Sequence, residues 1–402
     1  MDDLVYPRER VLGVFTLLFG LLIWLLLAIG TFGIALLLLL IGFLVYLFAR
    51  SALVSHIVGN GVALSEVQFP DLHAQFVACC DRLQMTRLPQ AYVLNGSGGL
   101  NAFATKFLRS QVVVLLSDVV DAMRHHPDGV RFYIGHELGH LRMKHLHWHF
   151  LRWPVLWLPL VGAAYSRARE STCDRHGAAC SSSPENAARA IAALAAGGRR
   201  WQQVDLAAYR EQALRSSGFW MSFHELTSPY PWLTKRVWRV LDRDTAPPSR
   251  HALAVVLAAF VPYAGRLGGA FGVLILVYVV AVLAAVAIPA YNDYTAKAQL
   301  AQVVSQTQGA RDTLAAFYLR HERVPESLKE AGIPEYLPGG GELALDTDQM
   351  TLSVITARGT LVFTPSETDD GKIEWSCAGG PDLRPSQVPP QCQGQPLPAG
   401  SL

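Results

Sequence analysis

Hydrophobic and polar positions are segregated along this chain into long apolar blocks and stretches of mixed polarity. Residues 11–48 contain no charged side chain. At roughly 20 residues per helical crossing, such a run spans a bilayer about twice. Gly30, Thr31, Phe32 and Gly33 supply a break, so the run predicts a helical hairpin. Arg8 and Arg10 before it and Arg50 after it place both ends in the cytoplasm, because cationic flanks stay inside. A secretory leader would have a shorter apolar core and a small-residue cleavage site, and neither is evident. A second uncharged block, residues 267–288, is long enough for one more crossing and puts the remainder of the chain outside the cytoplasm. Residues 252–264 are shorter and broken by Pro262, and are expected at the membrane interface.

Between these blocks, residues 51–250 have mixed polarity and read as a globular α+β domain. Residues 90–94 and 111–116 are rich in β-branched and other apolar side chains between turn formers, which predicts strands. Ser117-Asp118 opens a helix expected to end near His125-His126-Pro127, and helical spacing then runs from Val130 to about Leu146. An Ala-rich helix over 186–196 is bounded by Ser183-Pro184 and Gly197-Gly198. Residues 149–165 are apolar and hold Trp153 and Trp157, with Pro154 and Pro159 interrupting them. This segment is expected to dip into the membrane and return, or to lie along its interface.

Composition agrees with a membrane protein: 51% of residues are hydrophobic and only 16% charged, more apolar than soluble chains usually are. The length of 402 residues allows two or three domains. The net charge of +2 hides an asymmetry, since from Tyr291 onward there are 8 Lys and Arg against 14 Asp and Glu, leaving 26 against 18 before it. The inner part is therefore basic and the outer part acidic. Cys377 and Cys392, in the acidic tail, are expected to form a disulfide in an oxidising compartment; Cys79, Cys80, Cys173 and Cys180 are expected as reduced thiols. The expected organisation is a hairpin over 1–50, an enzyme domain over 51–250, a linker and transmembrane helix over 251–290, and a final domain over 291–402.

The chemistry lies in Ile134-Gly135-His136-Glu137-Leu138-Gly139-His140. His-Glu-x-x-His on a helix puts His136 and His140 one turn apart on one face, where both imidazoles can meet one metal. Glu137 is placed to take a proton from a water that the metal activates. Downstream, Glu170 and Asp174 stand four apart on one helical face. Glu170 completes a two-histidine, one-carboxylate zinc site, and Asp174 accepts the remaining ring N–H of a ligand histidine. His145, His147, His149, Cys173 and Cys180 are nearby, and we read them as bystanders. On a continuing helix His147 would lie about 10 Å along the axis from His140, and neither a third ligand nor Cys-x-x-Cys spacing supports a second site. One zinc ion per chain is expected.

These residues resemble the gluzincin membrane proteases that include the HtpX heat-shock protease and the CAAX prenyl protease. The resemblance covers roughly residues 91–236, and the His-Glu-x-x-His plus Glu170/Asp174 pair is its most specific part. Asn101-Ala102-Phe103-Ala104 is similar to the family's Asn-Ala-Phe-Ala segment beside the cleft. The resemblance implies that Asn101, Ala102 and Phe103 bind substrate, as an added strand pairs with a sheet edge. Tyr230-Pro231-Trp232-Leu233-Thr234-Lys235-Arg236 resembles the family's His-Pro-x-x-x-x-Arg motif, with Tyr230 where the family has His. A tyrosine hydroxyl can still donate to the oxyanion, so Tyr230 is expected to act in catalysis and Arg236 to contact substrate or orient the site.

The tail is similar to a second group. From Val279 through Ala287-Ile288-Pro289-Ala290-Tyr291-Asn292-Asp293-Tyr294 to Gln299 the chain resembles the first helix of a type IV pilin. A further helical stretch to Arg320, a β-rich region and Trp375-Ser376-Cys377 with Cys392 resemble a pilin head and its disulfide-bounded loop. The segment is internal, lacks a prepilin-peptidase recognition sequence, and has Gly272 where the assembly glutamate would stand. A binding head rather than a fibre subunit is therefore expected.

Together these readings predict an α+β protein: a transmembrane hairpin, a zincin-type metallopeptidase domain, a further transmembrane helix and a pilin-like α+β head. It would be a zinc endopeptidase of the bacterial inner membrane, with its peptidase domain cytoplasmic and its C-terminal domain periplasmic. Its expected partners are protein or peptide substrates, the lipid bilayer and a periplasmic partner of the head, but no nucleic acid. The alternative is a non-enzymatic envelope protein in which the head binds partners and the zinc domain is inactive or structural.

Overall fold

A computed structural model describes residues 2–147 and 149–393. Two units divide the chain, Met1–Tyr278 and Val279–Leu402. The first begins with α1 (Pro7–Gly30) and α2 (Ile34–Asn60). They are separated by a turn in which Phe32 and Gly33 have φ of 49° and 84°. Glycine adopts that conformation without strain, so the break falls where the sequence placed it. Only 11% of the apolar window of α1 and none of that of α2 is buried. Surfaces so apolar and so uncovered suit lipid rather than water.

After β1 (Val62–Ala63) and α3 (Pro70–Arg82) come β2 (Gln90–Leu94), β3 (Ala102–Phe107) and β4 (Ser110–Leu116). The sheet order is β1-β2-β4-β3, with β2 parallel to β4 and the other pairs antiparallel. Alternation along β4 gives it two covered faces. Val113 and Leu115 join the core of α3 and the later helices, while Val112 and Val114 pack with Ile57 of α2. β3 ends the sheet, so its outer edge is not paired within it.

Eight helices come next: α4 (Ser117–Ala122), α5 (Pro127–Arg142), α6 (His149–Leu156), α7 (Val161–Cys180), α8 (Pro184–Arg200), α9 (Leu206–Glu211), α10 (Phe219–Thr227) and α11 (Leu233–Leu241). The helix expected from Ser117 stops at Ala122, short of His125. The next begins at Pro127, because proline suits the first turn, and it stops at Arg142 rather than Leu146. Ser183 caps α8 by accepting from Asn186 N at 3.2 Å, and Gly197 breaks that helix at φ 76°, ψ 165°. The Trp-rich segment forms the eight-residue α6 against α1: Trp24 Nε1 donates to Phe150 O at 3.2 Å, and Gly20 leaves room for Leu151 O, which a Cβ there would overlap.

The unit continues with α12 (Ala252–Ala258) and the first part of α13 (Gly268–Gln306). The stretch from Gly269 onward contains the third candidate span among the described residues. In the second unit, α14 (Gln308–His321) precedes an antiparallel sheet ordered β5 (Glu342–Asp346), β6 (Thr351–Thr356), β7 (Gly359–Glu367) and β8 (Ile373–Gly379). Its core joins Leu300, Leu314, Leu352 and Phe363. Cys377 and Cys392 form the expected disulfide, and Cys79, Cys80, Cys173 and Cys180 are free and buried.

Candidate metal centre

The centre lies between α5 and α7, and glycines set their separation. A Cβ at Gly135 would stand 2.7 Å from Cys180 Sγ, one at Gly139 3.1 Å from His176 Cβ, and one at Gly177 2.6 Å from Phe132 O. Hydrogen at these positions lets the helices touch, which brings the histidines of one to the carboxylates of the other.

Glu170 Oε2 lies 3.2 Å from His136 Nε2, and Glu170 Oε1 lies 3.7 Å from His140 Nε2. The other ring nitrogens are engaged from behind. His136 Nδ1 is 3.0 Å from Asp174 Oδ1, and Arg236 donates to Asp174 through Nε at 2.8 Å and Nη2 at 2.6 Å. Arg236 thus grips Asp174 and also lines the cleft. His140 Nδ1 is 3.0 Å from His145 Nδ1, and His145 Nε2 is 2.7 Å from Glu9 Oε1 at the start of α1. With Glu9 as acceptor, His145 carries its proton on Nε2 and accepts from His140 Nδ1–H. Both candidate ligands then present Nε2 lone pairs.

Burial opposes charge at His136, yet hydrogen bonds to Asp174 and Glu170 outweigh it and push its pKa up to about 10. Burial also works against the Glu170 carboxylate, but His136 and His140 bring it down to about 2. Asp174 is held well below the carboxylate range because the Arg236 charge overcomes its desolvation. His140 and His145 fall well below the usual imidazole value, chiefly through burial. The Glu170 and Asp174 carboxylates thus favour positive charge at this point, which is the charge a bound cation would supply. One carboxylate and two imidazole nitrogens, with His136 giving up its Nε2 proton on binding, form a donor set that fits a zinc ion.

Two side chains expected to be bystanders lie in this arrangement. His145 reaches His140 because α5 ends in a Schellman turn: His145 N donates to His140 O at 3.0 Å and Lys144 N to Leu141 O at 3.2 Å, with Lys144 at φ 57°. The same early stop removes the helical spacing assumed for His147, whose Nε2 instead meets Lys106 Nζ. Cys173 is the second: His136, His140 and Cys173 have donor atoms within 4.8 Å of one another. Its sulfur lies 3.7 Å from His145 Nδ1, and burial, then the Glu170 charge, pushes the thiol far up. Glu9 is the remaining unforeseen residue; between two arginines in the sequence, it carries no mark of a buried role.

A cleft of about 1420 Å³ opens over the centre and is lined by His136, Glu137, His140, Glu170 and Tyr230. Asn101, Ala102 and Phe103 lie along one wall, the last two at the start of β3. Glu137 is buried in the cleft floor, and Tyr230 is partly exposed.

A His-Glu-x-x-His helix packed against a helix that carries Glu170 and Asp174, beside a small mixed sheet, has the framework of a metallopeptidase. Residues 66–159 match the model of Peptidase family M48, and the chain contains a domain of that family. The match includes His136, Glu137 and His140 and ends before Glu170. Toward its C-terminal end the chain is distantly similar to type IV pilins. It is 28% identical to the type IV major pilin protein PilE1 of Neisseria gonorrhoeae over 115 residues, 26% of this chain and 70% of the pilin. It is 28% identical to a fimbrial protein of Neisseria meningitidis over 26% of this chain and 67% of that protein, and 24% identical to fimbrial protein EcpC of Eikenella corrodens over 31% and 88%.

Proposed function

We propose that the chain is a membrane-bound, zinc-dependent endopeptidase that hydrolyses peptide bonds of protein substrates. The observation that carries this reading is the convergence of His136 Nε2 and His140 Nε2 on the Glu170 carboxylate, with each Nδ1 engaged from behind. We assign His136, His140 and Glu170 as ligands of one zinc ion and Asp174 as the acceptor that orients His136. Zinc would supply Lewis acidity that makes a water nucleophilic near neutral pH and polarises the scissile carbonyl. Glu137 takes the proton of the attacking water and delivers it to the departing amine, so its carboxylate acts as base and then as acid. Tyr230 donates to the developing oxyanion. The outer edge of β3 pairs with an extended substrate, with Asn101, Ala102 and Phe103 setting its register, and Arg236 acts through Asp174.

Glu137→Gln should keep zinc, measured by metal analysis of the purified protein, and lose at least about 100-fold in casein hydrolysis. Undiminished hydrolysis refutes the mechanism. The Cys173 cluster supports a second reading, a structural His₂Cys metal site. Under the first reading Glu170→Ala loses zinc while Cys173→Ser keeps it, and the reverse result favours the second. We assign the protein to the bacterial inner membrane, with the peptidase domain cytoplasmic and the pilin-like head periplasmic and free to bind a partner there. Reporter fusions at Arg250 and Leu402 test this, and a cytoplasmic signal at Leu402 contradicts it.

A further inference from the structure

A second, smaller cavity, of about 50 Å³, is lined by Tyr6, Arg8, Arg167, Ser171, Arg239 and Arg250. None of these residues lines the cleft over the metal centre. Four arginines line it from separate stretches of chain: the first turn of α1, the second turn of α7, the end of α11 and the loop before α12. Among the described residues the carboxylate paired with one of them is Glu225, and it is already shared between Lys235 Nζ at 2.8 Å and Arg250 Nη2 at 2.9 Å; Asp174, which also acts on Arg239, is held by Arg236. Arg167 is fixed by Nη1, which donates to the carbonyls of Glu225, Leu226 and Ser228 at 2.7, 2.9 and 2.9 Å. Arg239 reaches Ser171 Oγ only at 3.4 Å and lies 5.8 Å from the centre of the Tyr6 ring. Among the described residues neither Arg8 nor Arg239 forms an ion pair.

Positive charge is thus collected here in excess of its partners. Burial, then repulsion from Arg250, brings the Arg167 guanidinium down to about 9, and burial also lowers Arg239. An entering anion would relieve both. The size of the cavity selects the anion. A water needs about 10–15 Å³ of such space, so this cavity admits a group of a few heavy atoms. Arginines in this number match a phosphate, which accepts paired N–H bonds from planar guanidinium groups. Its position selects the source: Arg8 stands just before the lipid-suited surface of α1, where Val11 is 71% exposed, and phospholipid phosphates lie at that depth.

We propose that this cavity is a phosphate-binding site at the membrane boundary that takes the headgroup of an anionic phospholipid. The proposal rests on α1 entering the bilayer and is independent of peptidase activity.

Full-length protein in neutral detergent, titrated separately with phosphatidylglycerol, phosphatidylcholine and inorganic phosphate, tests it. The readouts are the thermal unfolding midpoint and the lipid retained in native mass spectrometry. Phosphatidylglycerol should raise the midpoint and remain bound, phosphatidylcholine should do neither, and inorganic phosphate should act only weakly. Arg8→Gln/Arg239→Gln should bind phosphatidylglycerol about tenfold more weakly or worse, while Arg8→Lys/Arg239→Lys retains part of the affinity. Because Arg8 is exposed, Arg8→Gln alone leaves the buried cluster intact and must also weaken binding if the double variant fails to fold. Undiminished binding by the glutamine variants, or equal binding of phosphatidylcholine, overturns the proposal. Inorganic phosphate binding as tightly as the lipid overturns the lipid assignment.

Discussion

The contact from His140 through His145 to Glu9 predicts that zinc affinity depends on a residue of the first apolar helix. Replacing His145 alone would strand the buried Glu9 carboxylate, so the informative variant is Glu9→Leu/His145→Phe, which removes both partners together. What remains is His140 Nδ1–H, buried and without its acceptor. Leaving such a donor unsatisfied costs about 1–3 kcal/mol, a factor of about 5 to 150 in the zinc dissociation constant. Orienting partners of metal ligands commonly contribute about 10- to 100-fold in affinity or activity. Competition with a chromophoric chelator on detergent-solubilised full-length protein measures the constant, and casein hydrolysis at saturating zinc measures the rate. The expected result is weaker zinc binding with the rate at saturation changed by only a few fold. A lowered unfolding midpoint with a zinc constant within twofold of the parent would show that His145 serves packing alone and would refute the positioning role.

The packing yields three other predictions. Alanine at Gly135 gains up to about 1 kcal/mol of helix propensity, but its Cβ would stand 2.7 Å from Cys180 Sγ; overpacking of about 1–3 kcal/mol outweighs the gain, so both the unfolding midpoint and zinc affinity should fall. Glu225 is fully buried, and although burial opposes its charge, Arg250 and Lys235 hold its pKa below the ordinary 4.5. Its contribution is present above the unfolded pKa and lost as pH falls through the lower folded value, so melting scans from pH 6 downward should decline. Glu225→Ala should flatten that decline and cost about 3–5 kcal/mol by stranding Lys235. Cys392→Ser, which opens a bridge between residues 15 apart, should destabilise the C-terminal unit by about 3 kcal/mol, read by limited proteolysis of the full chain.

The sequence made the centre legible where chemistry and period coincide. His136 and His140 share a face by helical spacing, as do Glu170 and Asp174, and the turn at Phe32-Gly33 is written in the glycine that tolerates it. That Glu170 and Asp174 meet the histidines was read from their chemistry; what lets the two helices approach so closely was not, because Gly135, Gly139 and Gly177 act through the absence of a side chain. Nor was the end of α5. A stop there would be marked by glycine or asparagine at the left-handed position, and Lys144 carries no such mark. With the helix read on to about Leu146, His145 had no third ligand with which to build a site and was set aside as a bystander. The Schellman turn reverses the chain instead, and this turn characteristically joins the side chain two beyond the cap to the one three before it. Here those positions are His145 and His140, so the signal that ends the helix and the contact that orients the ligand are one structural event. The nearness of Cys173 to the histidines was hidden for a related reason: it lies between Glu170 and Asp174 on α7, and the close approach allowed by the glycines, with Cys173 Cα 3.3 Å from a Cβ at Gly139, brings it to them. Burial and the Glu170 charge raise its thiol pKa, and exchange of Cys173 for serine separates the two roles open to it: zinc retained fits packing beside Glu170, and zinc lost fits a ligand.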